Sequence, residues 1–467
     1  MRFISGSGVT GVEKMNFNHV YFIGIGGIGM SAVADILLEL GYQVSGSDAK
    51  SSNVTERLSA KGAEIHIGQK AENITPAIDV VVHSTAIKAD NPEILQAQAL
   101  GLPIMHRSEM LAFLTMASKS ICVAGAHGKT TTSSMIALMM ELAELEPTIV
   151  VGGDIEQIGG NAKYGRGDYL VAEADESDGT FLRLHPWMTI VTNIEEDHLD
   201  HYKDLAEIKE AFSAFVALPG EQGVGVFCLD CPDVWDILAS AQGTVITYGF
   251  HAEADIRADN WRQEAGLNKA DVYRQGERLG QLTLNVPGKH NMTNALAAVA
   301  AGLTVGLTFE QIAEGLAQFT GAKRRFQVVG QVKGITVVDD YAHHPTEIRA
   351  TLEAARSGHT GRIIAVFQPH RYSRTKFLAP AFAESFAHAD KVVLTEVYSA
   401  GENMTDGAPT EIILEQMPPE KDACIVKKED VNAWLLQEVQ PGDLVLMLGA
   451  GNIWINAAQL VEDLQNS

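Results

Sequence analysis

Short apolar runs alternate with longer segments of mixed polarity along most of the chain. Strand-like runs lie at residues 19–23, 79–83, 120–124, 168–172, 188–192 and 225–229, and again at 335–339, 362–367, 391–394 and 443–448. Helical segments follow many of them, and this alternation predicts βαβ units with parallel sheets. Residues 244–286 are instead β-rich, and two helices are expected after Gly288.

The chain is too long for one hydrophobic core. Its 467 residues suggest about three domains. We therefore predict an α/β protein with an N-terminal Rossmann-like domain over residues 1–117, a central P-loop ATPase-like domain over 118–326 and a C-terminal Rossmann-like domain over 327–467. Residues 1–14 precede a second methionine, Met15, and are treated as an extension without an assigned function.

A glycine-rich loop follows the strand at residues 120–124. The sequence GAHGKTTT at residues 125–132 precedes a helical stretch expected over 133–145. Gly125 and Gly128 allow the backbone to approach an anion, Lys129 can reach terminal phosphates, and the Thr130 hydroxyl can bind Mg²⁺. The loop is two residues shorter than the common P-loop pattern, so an ordinary βα turn remains an alternative.

Acidic segments follow the next two strands of this region. Residues 173–178 follow the run at 168–172, and residues 193–201 follow the run at 188–192. Ligands of open parallel sheets bind beyond the carboxyl ends of the strands, and oxygen ligands there suit Mg²⁺. An acidic segment alone is usually a solvated loop, but two of them after a Lys-Thr loop favour a nucleotide site.

The first predicted strand enters the pattern Gly24-x-Gly26-x-x-Gly29, and Asp48 ends the next strand. This arrangement is a dinucleotide fingerprint and by itself favours NAD, although the same parts hold any nucleoside diphosphate. Ser84, Thr85, His106 and Arg107 follow later strands at the same face of the sheet. They can contact phosphate or sugar, with a plain loop as the alternative.

The charge balance limits the classes of partner. The chain has 35 basic and 59 acidic residues and a net charge of −24, which disfavours binding to nucleic acid or anionic lipid. No apolar stretch approaches the roughly 20 residues that span a bilayer, and no signal-peptide pattern is evident at the start. We therefore expect a cytoplasmic protein without membrane insertion, either a monomer or a weak homodimer.

Six segments occur in the order seen in the Mur ligases, which build the peptide of peptidoglycan. They are residues 125–132, 173–178, 193–202, 288–294, 324–326 and 339–345. The chain resembles this family from about residue 20 to about residue 457. Ala126 stands where the family usually has Thr, and we expect little change because that position offers mainly its backbone N–H. A lysine that several sister ligases carry, modified, is not evident after the His198 segment.

The resemblance implies an ATP-dependent ligase that activates a carboxylate as an acyl phosphate, which an amine then attacks. Residues 339–348 and 367–375 are similar to members that join L-alanine to UDP-N-acetylmuramate, so these two compounds and ATP are the expected substrates. The first domain would then bind the UDP-sugar. The residues expected there are Gly24, Gly26, Gly27, Gly29, Asp48, Ser84, Thr85, His106 and Arg107.

The same resemblance implies the roles of the central residues. Lys129, Thr130 and Glu173 would act on the phosphates with one Mg²⁺, and His198 would hold a second. His127 and Asn193 would lie beside the reacting groups, Asn294 at adenine, Arg325 at the triphosphate and Asp340 at the ribose. The full set of expected ATP contacts is Gly125, Ala126, His127, Gly128, Lys129, Thr130, Thr131, Asn294, Arg325 and Asp340.

An amino-acid carboxylate calls for a fork of donors. Arg371 and Arg374, three positions apart after a strand, can present one, although a solvated surface pair is the alternative. Tyr341, His343 and His344 are expected in the same pocket by resemblance.

Three other functions stay open from the sequence. A recycling ligase of the same family attaches a tripeptide to the same nucleotide, but the two-arginine segment favours a free amino acid. An NAD-dependent oxidoreductase would explain Gly24–Gly29 and leave Lys129, Glu173 and His198 without a role. A nonenzymatic nucleotide switch would not need an amino-acid pocket.

Overall fold

The computed structural model describes residues 17–198, 201–264 and 267–467, so the extension at residues 1–14 lies outside the described residues. The chain divides into two compact units, the first ending at Leu114 and the second beginning at Thr115. The domain boundaries predicted at 117/118 and 326/327 stay predictions. Within the described ranges, no helix has both the length and the apolar character needed to cross a membrane.

The first unit is a parallel α/β sheet. Its elements are β1 (His19–Ile23), α1 (Ile28–Glu39), β2 (Gln43–Asp48), α2 (Asn53–Ala60), β3 (Glu64–Ile67), β4 (Val80–His83), α3 (Pro92–Ala99), β5 (Ile104–His106) and α4 (Arg107–Met116). The strand order is β3-β2-β1-β4-β5, and every neighbouring pair is parallel. The order reverses between β1 and β4, and this switch point is where such sheets bind ligands.

The second unit begins with a ten-stranded sheet. Its elements are β6 (Lys119–Ala124), α5 (Lys129–Leu142), β7 (Thr148–Ile155), β8 (Gly160–Lys163), β9 (Tyr169–Glu173), β10 (Met188–Val191), α6 (Leu205–Ala217), β11 (Val224–Cys228), α7 (Pro232–Trp235), β12 (Thr244–Gly249), β13 (Ile256–Glu264), β14 (Leu267–Arg274), β15 (Glu277–Leu284), α8 (Lys289–Thr304) and α9 (Phe309–Ala317). The order is β15-β14-β13-β12-β11-β10-β6-β9-β7-β8. β6 lies at its centre between β9 and β10, parallel to both.

The same unit contains a six-stranded sheet. Its elements are β16 (Gln327–Val332), β17 (Ile335–Asp340), α10 (Pro345–Gly358), β18 (Ile363–Phe367), α11 (Tyr372–Ser385), β19 (Lys391–Leu394), α12 (Glu411–Gln416), β20 (Ala423–Ile425), α13 (Val431–Glu438), β21 (Leu444–Leu448) and α14 (Trp454–Asn466). The order is β16-β17-β21-β18-β19-β20, with only the edge strand β16 antiparallel to its neighbour. Apolar clusters cover both faces of this sheet, as expected for parallel strands.

The alternation of strands and helices predicted from the apolar runs is confirmed, but the helix expected over residues 133–145 begins and ends earlier. α5 runs from Lys129 to Leu142. Gly128 is its N-cap in the left-handed conformation, with φ 82°, so the threonines at 130–132 form the first turn. The chain leaves the helix at Glu144, whose φ of 60° is incompatible with an α-helix.

A buried carboxylate organises the core of the first unit. Glu93 is fully buried and accepts hydrogen bonds from the Tyr21 hydroxyl at 2.7 Å, the Ser47 hydroxyl at 2.6 Å and the Asn73 amide at 2.7 Å. These donors come from β1, β2 and the turn before β4. Burial is also the main reason that the pKa of Tyr21 lies above its ordinary range.

We expect Glu93→Gln to destabilise the first unit by about 1–3 kcal/mol, because the amide NH₂ cannot accept the hydrogen bonds that the replaced carboxylate oxygen accepts in this buried site. Hydrogen exchange of the β1 and β2 amides should accelerate accordingly. Glu72→Gln, at an exposed position, is the matched control and should leave exchange unchanged. Equal protection in Glu93→Gln and the wild type would contradict this account of the core.

Candidate active site

Three neighbouring strands of the ten-stranded sheet end at one edge. β6 pairs with β9 through Val123 and Glu173, and with β10 through Ala124 and Val191. The segments that follow these strands are the glycine-rich loop, the acidic segment 173–178 and the segment 193–198. The parallel register therefore brings together the three segments that the sequence predicted to form one site.

Asn193 holds the glycine-rich loop. Its Oδ1 accepts from the His127 backbone N–H at 2.8 Å, and its Nδ2 donates to the His127 carbonyl at 2.9 Å. Gly128 lies against Asn294 of α8, and a Cβ atom at Gly128 would be 2.6 Å from Asn294 Oδ1. Glycine at this position thus provides both the positive φ and the close approach of α8 to the loop.

Lys129 is held within the site by its own loop and by one carboxylate. Nζ donates to the Gly125 carbonyl at 2.6 Å, the Ala126 carbonyl at 3.2 Å and Glu176 Oε1 at 2.7 Å. Burial lowers the pKa of Lys129, but the carboxylates of Glu176, Glu173 and Asp175 together outweigh burial, and the pKa is raised. The ammonium is therefore charged and is oriented towards the phosphate loop.

Thr130 and Glu173 form an oxygen cluster at the start of α5. The Thr130 hydroxyl donates to Glu173 Oε2 at 2.8 Å, and the Gly152 N–H donates to the same oxygen at 3.0 Å. Burial raises the pKa of Glu173, against the opposing charge of Lys129. A hydroxyl and a carboxylate in contact fit the ligand preference of Mg²⁺.

His198 lies near the same carboxylate oxygen of Glu176 that Lys129 contacts. Its Nε2 is 3.6 Å from Glu176 Oε1 and 3.7 Å from Asp197 Oδ2. The φ of His198 is 55°, a left-handed conformation that is uncommon for a non-glycine residue. Glu176 thus connects the Lys129 ammonium with the imidazole predicted to bind a second metal ion.

A second cluster connects the glycine-rich loop with α10. His127 Nε2 is 3.2 Å from Glu195 Oε2, and His127 Nδ1 is 3.3 Å from Glu347 Oε1. Burial lowers the pKa of His127, but Glu347 and Glu195 outweigh it and raise this pKa to about 9. The His127 and His344 rings are 4.9 Å apart, and burial together with the charge of His127 lowers the pKa of His344 to about 4. His127, Glu195 and His344 lie close enough to hold a metal ion. The contacts of His127 with Glu195 and Glu347 are also those of a protonated imidazole paired with two carboxylates.

A pocket opens beside the loop, between α8 and α10. It is lined by the predicted residues His127, Gly128, Thr131, Asn193, Asn294, Arg325 and Asp340, and also by Val286, His290, Phe319 and Phe326. Burial and then the charge of Arg325 lower the pKa of His290 to about 4, so that this ring is neutral. Apolar and neutral aromatic walls combined with a few polar groups suit a nucleotide base and its ribose.

The two neighbouring arginines have different surroundings. The Arg324 guanidinium donates to Asp339 at 3.2 Å and to the carbonyls of Gly449 and Gly451, so it fastens the turn after β21. Arg325 lines the pocket and lies 3.7 Å from Glu347. That Arg325 contacts the triphosphate stays a prediction. It is supported by the position of Arg325 at the pocket, since Arg324 is bound to the protein backbone.

Asp340 holds the backbone around the pocket. Its carboxylate accepts from the Phe326 N–H and the Ala342 N–H, both at 2.7 Å. Burial raises the pKa of Asp340. These two hydrogen bonds show that Asp340 shapes the backbone at Phe326 and Ala342. Its contact with ribose stays a prediction.

The predicted amino-acid residues lie before α10 and at the start of α11. Tyr341 and His343 rings are in edge contact at 5.4 Å, and His343 and His370 rings are 5.9 Å apart. Arg371 is the N-cap of α11, with φ 71°. Arg374, in the first turn of α11, donates to Asp197 at 3.0 Å. The structure therefore pairs this arginine with a protein carboxylate, and the two-arginine fork stays a prediction.

In the first unit, the predicted nucleotide residues gather at the switch point. Asp48 Oδ2 accepts from the Gly26 N–H at 2.9 Å, so this carboxylate fastens the glycine loop. The Arg107 guanidinium lies over the start of α1, where a Cβ at Gly29 would be 2.0 Å from Nη1. His106 makes an edge contact with the His83 ring at 5.6 Å. Ser84 and Thr85 follow β4, and Thr85 is exposed.

Three family models match most of the chain. The Mur ligase family catalytic domain matches residues 19–119, the Mur ligase middle domain matches 123–302, and the Mur ligase glutamate ligase domain matches 324–451. The chain belongs to the Mur ligase family. The predicted family membership and three-domain α/β fold are therefore confirmed.

Individual Mur ligases are similar over nearly the full chain. The UDP-N-acetylmuramate–L-alanine ligase of Desulforamulus reducens is 51% identical over 451 residues, which cover 96% of this chain and 98% of that protein. The ligase of the same name from Pelotomaculum thermopropionicum is 50% identical over 453 residues, covering 96% and 98%. The crystal structure of UDP-N-acetylmuramate-alanine ligase from Thermotoga maritima has a TM-score of 0.82 at 30% identity, with 96% and 99% covered.

Four acidic residues of this Mur ligase site were not predicted from the sequence. Glu176 pairs with Lys129, and Asp197 pairs with Arg374. Glu195 and Glu347 both pair with His127. Glu176, Glu195 and Asp197 lie in the two acidic segments, where their spacing does not distinguish them from solvated neighbours. Only their burial or partial burial, known from the fold, separates these carboxylates from the exposed Glu196.

The His127 imidazole should titrate at about 9, which is testable by NMR with labelled histidine. This folded-state pKa exceeds the ordinary 6.5, so protonated His127 stabilises the fold fully below pH 6.5. That stabilisation is lost as the pH rises through 9. The free energy of unfolding of the second unit should therefore decrease over this interval, by about 3 kcal/mol. Glu347→Gln should lower the pKa of His127 and flatten this dependence. Glu353→Gln on the exposed face of the same helix serves as the control, and identical titration curves in all three proteins would refute the assignment.

Proposed function

We propose that this protein is an ATP-dependent ligase that joins L-alanine to the lactyl carboxylate of UDP-N-acetylmuramate. One observation carries the proposal. The phosphate loop, the predicted metal ligands and the arginine-bearing start of α11 meet at the segment 193–198, through Asn193, Asp197 and His198. The identities of about 50% to ligases of that name support this substrate pair.

The reaction requires activation of a poor acylating agent. A lactyl carboxylate oxygen attacks the γ-phosphorus of ATP, the bond to the bridging oxygen breaks, and ADP leaves. The amine of L-alanine then attacks the carbonyl carbon of the acyl phosphate, loses a proton, and expels inorganic phosphate as the amide bond forms. Catalysis of the first step is mainly positioning and electrostatic stabilisation.

The residues of the loop would supply that stabilisation. Lys129 would exchange its contact with Glu176 for the phosphate oxygens, because its ammonium already lies at the loop. Thr130 and Glu173 would hold one Mg²⁺ and His198 a second. These ions would neutralise charge on the phosphate oxygens. The backbone N–H groups at residues 128–131 would cradle the anion at the start of α5.

The remaining substrates would bind at other residues of the chain. L-Alanine would bind near Tyr341, His343 and His344, its carboxylate meeting Arg371 and Arg374. The UDP-sugar would bind at the switch point of the first unit, whose residues were described above. The adenine would lie in the pocket near Asn294, with Arg325 at the triphosphate.

The alternatives are less well supported. The murein peptide ligase of Psychrobacter arcticus shares the fold at a TM-score of 0.73, with 24% identity, and a tripeptide in place of L-alanine is the second candidate. The NAD-dependent function would leave the buried Lys129 cluster unexplained. A cytoplasmic location and a monomer or weak homodimer remain part of the proposal.

We expect phosphate release only when ATP, Mg²⁺, UDP-N-acetylmuramate and an amino acid are all present, with L-alanine the best amino acid. A coupled phosphate assay with each component omitted in turn measures this. Much better use of a tripeptide than of L-alanine would identify the recycling function. Turnover of NADH without ATP would refute the proposal.

Lys129→Ala should lower turnover by roughly three or more orders of magnitude, because the cation beside the transferring phosphoryl group is lost. Calorimetric affinity for UDP-N-acetylmuramate should be nearly unchanged. Lys119→Ala, at the exposed opposite end of β6, is the matched control and should keep full activity. A parallel loss of UDP-sugar affinity in Lys129→Ala would show that the sugar nucleotide has been assigned to the wrong part of the chain.

A further inference from the structure

One ion pair joins the segment after β10 to the start of α11. Arg374 Nη2 donates to Asp197 Oδ1 at 3.0 Å and to Oδ2 at 3.4 Å. Both side chains are 9% exposed. The two residues are 177 positions apart in the chain. Asp197 follows β10 of the ten-stranded sheet, and Arg374 lies in α11, which follows β18 of the six-stranded sheet.

The same carboxylate supports the neighbouring histidine. Asp197 Oδ1 accepts from the His198 backbone N–H at 2.7 Å. This hydrogen bond accompanies the left-handed conformation of His198, whose φ is 55°. The Asp197 carboxylate therefore contacts the backbone of His198, a predicted metal ligand, and the guanidinium of Arg374, a predicted amino-acid ligand.

Stability alone is a weak explanation for this pair. Removing a guanidinium and a carboxylate from water costs several kcal/mol, which their attraction often only offsets. A guanidinium has five N–H donors arranged in a plane, and the bonds to Asp197 use a single terminal nitrogen. The Asp197 carboxylate, bound to one terminal nitrogen, can thus fix the plane of the Arg374 guanidinium. The remaining N–H groups can then donate to a second carboxylate.

We propose that Asp197 is a positioning residue that orients the Arg374 guanidinium for the carboxylate of the incoming amino acid. This inference rests on the proposed function, in which Arg374 receives that carboxylate. Asp197 itself need not touch the substrate. Its effect is expected on amino-acid binding, and the phosphoryl transfer that precedes amine attack should be spared.

Asp197→Asn tests the proposal with little change of shape. The amide oxygen can still accept from the His198 N–H, whereas the charge that orients Arg374 is lost. The KM for L-alanine should rise about tenfold or more, as expected when one charge-assisted hydrogen bond is weakened. The KM values for ATP and UDP-N-acetylmuramate should change less than about twofold.

Hydroxylamine separates this effect from a general disturbance of the loop. It traps the acyl phosphate in the absence of L-alanine and has no carboxylate for Arg374 to bind. Asp197→Asn should therefore form hydroxamate at near wild-type rates. A parallel loss of hydroxamate and of L-alanine ligation would place the effect at His198 and would overturn the proposal.

A double variant tests whether Asp197 acts through Arg374. Arg374→Lys keeps the charge but removes the planar fork, and adding Asp197→Asn to it should raise the KM for L-alanine little further. Multiplying effects would show that the two residues act independently and would also overturn the proposal.

Glu196→Gln is the matched control. It removes a charge from the adjacent, exposed position and should leave every KM unchanged. If the wild type shows no ligation that depends on L-alanine, the proposed function fails before the variants are compared. The two failures are therefore distinguishable.

Discussion

The parallel pairing of β6 with β9 and β10 is the constraint on which the candidate site depends. Backbone hydrogen bonds set the register of these strands, and all three end at the same edge of the sheet. The phosphate loop, Glu173 and Asn193 are consequently brought together by strand pairing before any ligand contact is considered. A shift of register by one residue would turn every side chain of a strand to the opposite face, so the geometry of the site and the packing of the core are determined together.

Much of this arrangement could be predicted because it is local. Buried strands appear as apolar runs, and chemically distinctive residues follow where those runs end. The start of α5 was misplaced because Gly128 acts as its N-cap, a role that the three threonines after it concealed. The pairs Arg374–Asp197 and His127–Glu347 could not be predicted, since each joins distant parts of the chain and depends on how α10 and α11 approach the ten-stranded sheet.

The site shows how an acidic protein can serve anionic substrates. The net charge is −24, yet Lys129, His127 and Arg374 are concentrated in one small region of the second unit. Each of them is paired with a buried or half-buried carboxylate. The neighbouring negative charges keep the lysine and His127 protonated in spite of burial, and so preserve the cations that the proposed chemistry requires.

These pairs also change the entropy of ligand binding. A free lysine or arginine side chain loses up to about 2 kcal/mol of rotamer freedom when it is immobilised. Glu176 and Asp197 already restrain the Lys129 and Arg374 side chains in the folded chain, so this loss belongs to folding and not to substrate association. Binding of a phosphate or carboxylate then resembles an exchange of one anion for another on a cation that is already in place.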